Sequence, residues 1–159
     1  MATPLGAIAV VASPAGVVAT ALEPDAERAF DAVERWAGAP IERDDRGLAR
    51  AGDDVRDYFA GSLRVFSVAV DLDAVGRGFA RSVYAATMRV PYGQLRTYGD
   101  VAADAGAPRA FRAAGTALRH CPIELWIPCH RVVPAGPGFG TYGGHPERRE
   151  FLLRLERAI

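Results

Sequence analysis

Apolar residues recur with strand-like spacing in two short runs near the start of the chain, Ala7 to Ala12 and Val17 to Leu22. Between them, Ser13-Pro14-Ala15-Gly16 is turn chemistry, so the pattern predicts a β-hairpin. From Pro24 to Trp36 the period lengthens to that of a helix, with Ala26, Phe30, Val33 and Ala37 on one face and Gly38-Ala39-Pro40 as its stop. The charged stretch Glu42 to Arg46 reads as loop. A second helix is expected near Leu48 to Ala60, burying Val55, Tyr58 and Phe59 and ending at Gly61, and a strand at Arg64 to Val70 follows.

Beyond Gly78 the pattern is helical and broken by tight turns. Helices are expected at Phe79 to Val90, at Tyr98 to Ala105 with Thr97 as N-cap, and at Arg109 to Arg119, separated by Pro91-Tyr92-Gly93 and Gly106-Ala107-Pro108. Two short helices joined by a glycine-containing turn suit a helix-turn-helix, although spacing alone fits an ordinary helical hairpin better. The last of these helices is rich in small residues (Ala110, Ala113, Ala114, Gly115, Ala117), with Arg112 and Arg119 projecting from it. Such a surface permits close approach, either to a neighbouring helix or to a shallow groove. The expected fold class is α+β. A small N-terminal α/β domain with a short antiparallel sheet (residues 1–73) precedes a mainly helical domain with a helix-turn-helix (residues 74–159).

Composition narrows the possibilities without choosing among them. The chain has 159 residues, half of them hydrophobic, enough to bury a core without a disulfide or metal staple. Two cysteines and three histidines lack the number and spacing for a zinc site, so neither a metal nor another cofactor is expected. All 19 basic residues are Arg and the formal net charge is zero. The charge is uneven, however: residues 1–91 hold 10 Arg against 13 acidic residues, and residues 92–159 hold 9 against 6. The apolar N-terminus lacks a basic flank and is interrupted at Ser13-Pro14, so it reads as hairpin rather than signal peptide, and a reducing, cytoplasmic location is expected.

Candidate chemistry concentrates in Trp126-Ile127-Pro128-Cys129-His130-Arg131-Val132-Val133, where a thiol stands beside an imidazole in an apolar, strand-like frame. A thiol attacks as thiolate, and a neighbouring histidine is the usual means of forming one near neutral pH. A Cys-His pair in an apolar run is nonetheless more often packing than catalysis when nothing else supports it.

Further support comes from blocks in register with this run. They are Pro91-Tyr92-Gly93, Thr97-Tyr98-Gly99, Arg112-Ala113-Ala114-Gly115, Gly140-Thr141-Tyr142-Gly143-Gly144 and Glu150-Phe151-Leu152-Leu153 with Glu156. From about Phe79 to the C-terminus, their order and spacing resemble the O6-alkylguanine-DNA alkyltransferases. Cys121 stands where that family usually has Asn.

The resemblance implies direct-reversal DNA repair: irreversible, single-turnover transfer of an alkyl group from guanine O6, or thymine O4, to Cys129. His130 would take the thiol proton, Glu156 would orient the imidazole and favour its charged form, and Tyr98 would protonate the departing guanine. The Cys129 and Val132 carbonyls, Gly143 N–H, Tyr142 and Gly144 would form the guanine pocket. Arg112, with Ala113, Ala114, Gly115 and Arg119, would contact DNA, and Arg112 would fill the place of the flipped nucleotide. The implied partner is double-stranded DNA carrying O6-alkylguanine, bound through the minor groove without sequence specificity by a monomer and with no membrane involved. Competing readings are a non-catalytic lesion-binding relative, a DNA-binding regulator and a cysteine hydrolase.

Overall fold

The computed structural model describes residues 1–38 and 40–159; Ala39, within the expected helix stop, lies outside the described residues. The chain forms two compact units, Met1–Val75 with Pro122–Glu124, and Gly76–Cys121 with Leu125–Ile159. With a three-stranded antiparallel sheet and several helices, the fold is α+β.

The first unit is built on the expected hairpin. Strands β2 (Gly6–Ser13) and β3 (Gly16–Glu23) pair antiparallel around Pro14-Ala15, and β1 (Ala2–Thr3) adds to the edge of β2. Gly16 is required at the turn, since its φ is +146° and a Cβ would lie 2.4 Å from the Ala69 carbonyl oxygen. Helix α1 (Ala26–Ala37) packs on the hairpin, with Asp25 accepting from the Arg28 N–H at its start and Gly38 in the left-handed conformation at its end. Its buried stripe includes Val33, as expected, but Ala29 takes the place expected of Ala26 and Phe30. Small residues there let the helix sit close to the sheet, which leaves Ala26 exposed and Phe30 40% exposed.

Helix α2 (Ala49–Phe59) buries Val55 and Tyr58 as expected, and Phe59 is half-buried. The strand expected at Arg64 to Val70 does not form. Only Val70 makes a bridge, parallel to Val17, and Val65 is exposed. The cause is Asp54 of α2, a buried carboxylate that accepts from the Ser67 N–H (2.6 Å), the Val68 N–H (3.2 Å) and the Ser67 hydroxyl (2.8 Å). A side chain thus takes the donors that a ladder would have used. Asp71 then caps the short helix α3 (Leu72–Val75) through the Ala74 N–H and receives the Ser13 hydroxyl at 2.7 Å.

In the second unit, α4 (Gly78–Met88), α5 (Tyr98–Asp104) and α6 (Phe111–Arg119) lie within two residues of their expected bounds. Thr97 caps α5 in a full capping box, its hydroxyl accepting from the Asp100 N–H while the Asp100 carboxylate accepts from the Thr97 N–H. Helices α5 and α6, the expected helix-turn-helix pair, pack against each other across the turn at Gly106-Ala107-Pro108. Strand β4 (Arg96–Thr97) pairs parallel with β5 (Val132–Val133), fixing the start of α5 beside the segment that follows Cys129. Helix α7 (Pro146–Leu155) begins with proline at its first turn and buries Arg149, Leu152 and Leu153.

Candidate active site

Cys129 does not lie on a strand. Pro128, at φ −78° and ψ 63°, is the centre of an inverse γ-turn closed by the Cys129 N–H on the Ile127 carbonyl at 2.7 Å. Cys129–Arg131 then forms a single 3-10 turn before β5. Every residue from Leu125 to Val133 is buried, so the apolar run carries no alternation to specify a strand. The turn leaves Cys129 only 7% exposed and places His130 and Arg131 side by side in the interior.

Both of those side chains converge on Glu156, the residue that closes α7. Its Oε1 accepts from His130 Nε2 at 2.9 Å and Arg131 Nη2 at 2.8 Å; its Oε2 accepts from Arg131 Nε at 2.9 Å and the Gly93 N–H at 3.1 Å. Two oxygens thereby receive four donors. The Pro91-Tyr92-Gly93 turn serves this carboxylate directly. Gly93 has φ +74° and a Cβ there would lie 2.9 Å from the Glu156 carbonyl oxygen, while the Tyr92 hydroxyl donates to the Leu155 carbonyl at 3.1 Å. The Arg131 guanidinium also lies 5.7 Å from the Tyr92 ring centroid and donates to the Val90 carbonyl at 2.7 Å.

Burial alone would raise the Glu156 carboxyl, but the hydrogen bonds from His130 and Arg131 outweigh it and hold the group well below the usual carboxylate range. An ionised carboxylate only accepts, so His130 carries its hydrogen on Nε2 and its basic nitrogen is Nδ1. Glu156 favours the charged form of the imidazole, but burial outweighs it. Complete burial lowers the His130 pKa, Glu156 opposes this, and the positive charges of Arg131 and Arg149 add to the lowering. The net shift is downward, so the imidazole is neutral near neutral pH.

Tyr98 opens α5 and is half-buried, its ring in van der Waals contact with the place a Cβ on Gly115 would occupy, at 3.7 Å. Val132 is fully buried in β5, and its N–H donates to the Cys129 carbonyl. Tyr142 is half-buried at φ +44°, followed by exposed Gly143 at φ +67° and exposed Gly144 at φ +104°. These positive φ values are the reason glycine suits the two positions after Tyr142. On α6, Arg112, Ala113 and Arg119 are exposed and Gly115 is half-buried. Ala114 is corrected: it is fully buried and belongs to the core face of the helix, so it offers no surface to a ligand.

Two site residues escaped sequence reasoning. Arg131 is the one charge in an apolar run, and a charge there needs a buried partner. Arg149 precedes Leu152, Leu153 and Glu156 by three, four and seven positions, so it shares their buried face. Its guanidinium donates to the Phe139 carbonyl, lies 3.4 Å from the Tyr98 hydroxyl and 3.5 Å from the Cys129 carbonyl, and stands 4.8 Å from the Tyr142 ring centroid. It therefore links the proposed nucleophile, the tyrosine and the glycine-rich loop.

Among the described residues no group of His, Cys, Asp and Glu could hold a metal ion, and no helix is long and apolar enough to cross a membrane. Residues 78–158 match the family model for the DNA-binding domain of 6-O-methylguanine DNA methyltransferase. A methylated-DNA–protein-cysteine methyltransferase from Mycolicibacterium paratuberculosis is 44% identical over 112 residues, spanning 70% of this chain and 67% of the relative. A constitutive methylated-DNA–protein-cysteine methyltransferase of Bacillus subtilis is 39% identical over 111 residues, 69% of this chain and 66% of that protein. The crystal structure of the Mycobacterium tuberculosis O6-methylguanine methyltransferase superposes with a TM-score of 0.80 at 33% identity, covering 99% of this chain and 90% of that one. The M. tuberculosis OGT solved in complex with DNA gives 0.78 at 30% identity, with coverage of 99% and 90%. With its site built around a buried cysteine, histidine and glutamate, this chain belongs to the 6-O-methylguanine DNA methyltransferase family.

Proposed function

We propose that this protein repairs DNA by direct reversal, transferring an alkyl group from O6 of guanine to Cys129 in a single, irreversible event. The observation that carries the reading is the buried His130–Glu156 pair beside Cys129 in sequence, a fully buried imidazole of lowered pKa held at Nε2 by an ionised carboxylate. Cys129 gives its proton to His130 Nδ1 through a water, and the thiolate attacks the alkyl carbon. The carbon–oxygen bond breaks with its electron pair going to the purine, and Tyr98 donates a proton to that leaving group. Proton return from the imidazolium to the phenolate restores neutrality, so the net change is thiol plus alkylguanine to thioether plus guanine. A thioether has no acyl carbon for water to attack, and the protein is consumed.

The second unit carries the chemistry and the DNA contacts, and the first acts as scaffold. Tyr142, Gly143, Gly144 and the main chain of Cys129 and Val132 form the guanine pocket. Arg112 enters the base stack as the damaged nucleotide leaves it, and exposed Ala113 and Arg119 border the minor groove. Binding is independent of sequence, by a monomer, and falls with salt. A free thiol of this kind suits a reducing compartment such as the cytoplasm.

Intact-mass spectrometry after incubation with a duplex containing O6-methylguanine tests the reading. The expected result is the gain of one methyl group, absent in Cys129→Ser. Unchanged mass with retained binding to the damaged duplex would overturn transfer in favour of lesion recognition alone.

A further inference from the structure

Arg149 is a buried cation without a buried anion. It is 2% exposed, no carboxylate pairs with it among the described residues, and its Nε is buried without a hydrogen-bond partner. Arg131, a few residues after the inverse γ-turn, shows the usual solution, a bidentate carboxylate. Burying a guanidinium without a counter-ion is strongly unfavourable. Two carbonyls, one phenol oxygen and a π-face offset part of that cost.

What distinguishes the position is its contact with Tyr98. Arg149 has only hydrogens to give, so in this contact the phenol oxygen accepts and the phenol's own hydrogen is directed elsewhere. Once Tyr98 has released that hydrogen, a phenolate stands beside the unneutralised guanidinium. We propose that Arg149 is the positioning residue for proton donation by Tyr98: it turns the hydroxyl hydrogen away from itself and supplies the countercharge for the phenolate left behind. The inference rests on the reading that Cys129 accepts the alkyl group from guanine. The same side chain also holds the Phe139 carbonyl and faces the Tyr142 ring, so the glycine-rich loop and the proton donor share one anchor. Its charge reaches His130 as well, where it favours the neutral base.

The test separates this role from a purely structural one by changing the leaving group. Iodide departs from iodoacetamide without a proton, whereas guanine needs one. Single-turnover rates at Cys129 are measured with an O6-methylguanine duplex and with iodoacetamide for the wild type, Arg149→Met, Tyr98→Phe and the double variant. Arg149→Met is expected to slow methyl transfer on the order of tenfold, the loss of one charge-assisted hydrogen bond, and to change iodoacetamide alkylation, which senses Arg149 only through Cys129 and His130, by a clearly smaller factor. In the Tyr98→Phe background, Arg149→Met is expected to have little further effect, since the group it acts on is gone. Arg149→Lys keeps the charge and is expected to show a smaller loss with the same dependence on Tyr98; it carries the test if Arg149→Met does not fold. Independent, multiplicative effects of the two substitutions, or equal slowing with both reagents, would overturn the proposal. A wild-type protein that reacts with iodoacetamide but takes no methyl group from the duplex would overturn the underlying reading along with it.

Discussion

Glu156→Gln tests the four-donor account of the site most directly. The substitution keeps size and shape but replaces one acceptor oxygen by an amide with two hydrogens. If that amide occupies the Oε2 place, it faces Arg131 Nε and the Gly93 N–H, both donors. If it occupies the Oε1 place, it faces Arg131 Nη2 and His130 Nε2, and only the imidazole can adapt, by moving its hydrogen to Nδ1. Either way Arg131 becomes a buried cation without its counter-ion, for which the expected cost is about 3–5 kcal/mol. For a domain of this size that corresponds to a fall in melting temperature of roughly 6–20 °C. Urea unfolding followed by tryptophan fluorescence measures it. The matched control is Glu150→Gln, which breaks only the exposed ion pair with Arg154 at 2.6 Å and is expected to cost under about 1 kcal/mol. Where the amide takes the Oε1 place, alkyl transfer is also expected to collapse, because the adapted imidazole holds its hydrogen on the nitrogen that should receive one. A loss of stability below about 1 kcal/mol, equal to that of the control, would refute the claim that Glu156 neutralises a buried charge.

Other outcomes follow from the same geometry. Asp100→Ala removes half of the capping box at the start of α5 and is expected to destabilise the fold by about 1 kcal/mol in urea, with no change implying that the Thr97 hydroxyl alone is enough. His130 and Glu156 both have folded pKa values below their ordinary ones of 6.5 and 4.5, so the unfolded chain binds protons first and stability falls as the solution is acidified. The contribution is complete above the ordinary histidine value, begins to be lost below it, and is lost further as the pH falls through the lowered folded values; urea midpoints that rise on acidification from about pH 7.5 to about pH 5 would contradict the sign. The rate of methyl transfer is expected to persist below the ordinary histidine pKa, because burial keeps His130 neutral there, and a rate that halves at or above that value would remove the neutral-base assignment. Arg112→Ala is expected to slow repair of duplex DNA by about tenfold or more while leaving reaction with a free alkylated base unchanged, since only the duplex requires the vacated stack to be filled; equal slowing of both would refute that role.

What the sequence shows of this fold and site divides along a physical line. Helices α4 to α6, the Thr97 cap and the hairpin around Gly16 are set by residues within a few positions of one another, and each is readable from the chain alone. The expected strand at residues 64–70 is lost to Asp54, thirteen positions before Ser67, because a buried carboxylate there competes for the same N–H groups. The apolar run itself pointed to Cys129 and His130 and the resemblance to a repair family added Tyr98 and Glu156, yet neither named a buried arginine, and the two arginines are what give the site its electrostatic character. A charged residue reads as surface until its partner is known, and these partners lie 25 positions away for Arg131 and Glu156, and 51 for Arg149 and Tyr98. The difference between them is itself informative. Arg131 meets a carboxylate built into the fold, so its charge is spent on holding Glu156 and, through it, the His130 tautomer. Arg149 meets only neutral oxygens at rest, and the anion that would complete it arises only when the chemistry proceeds.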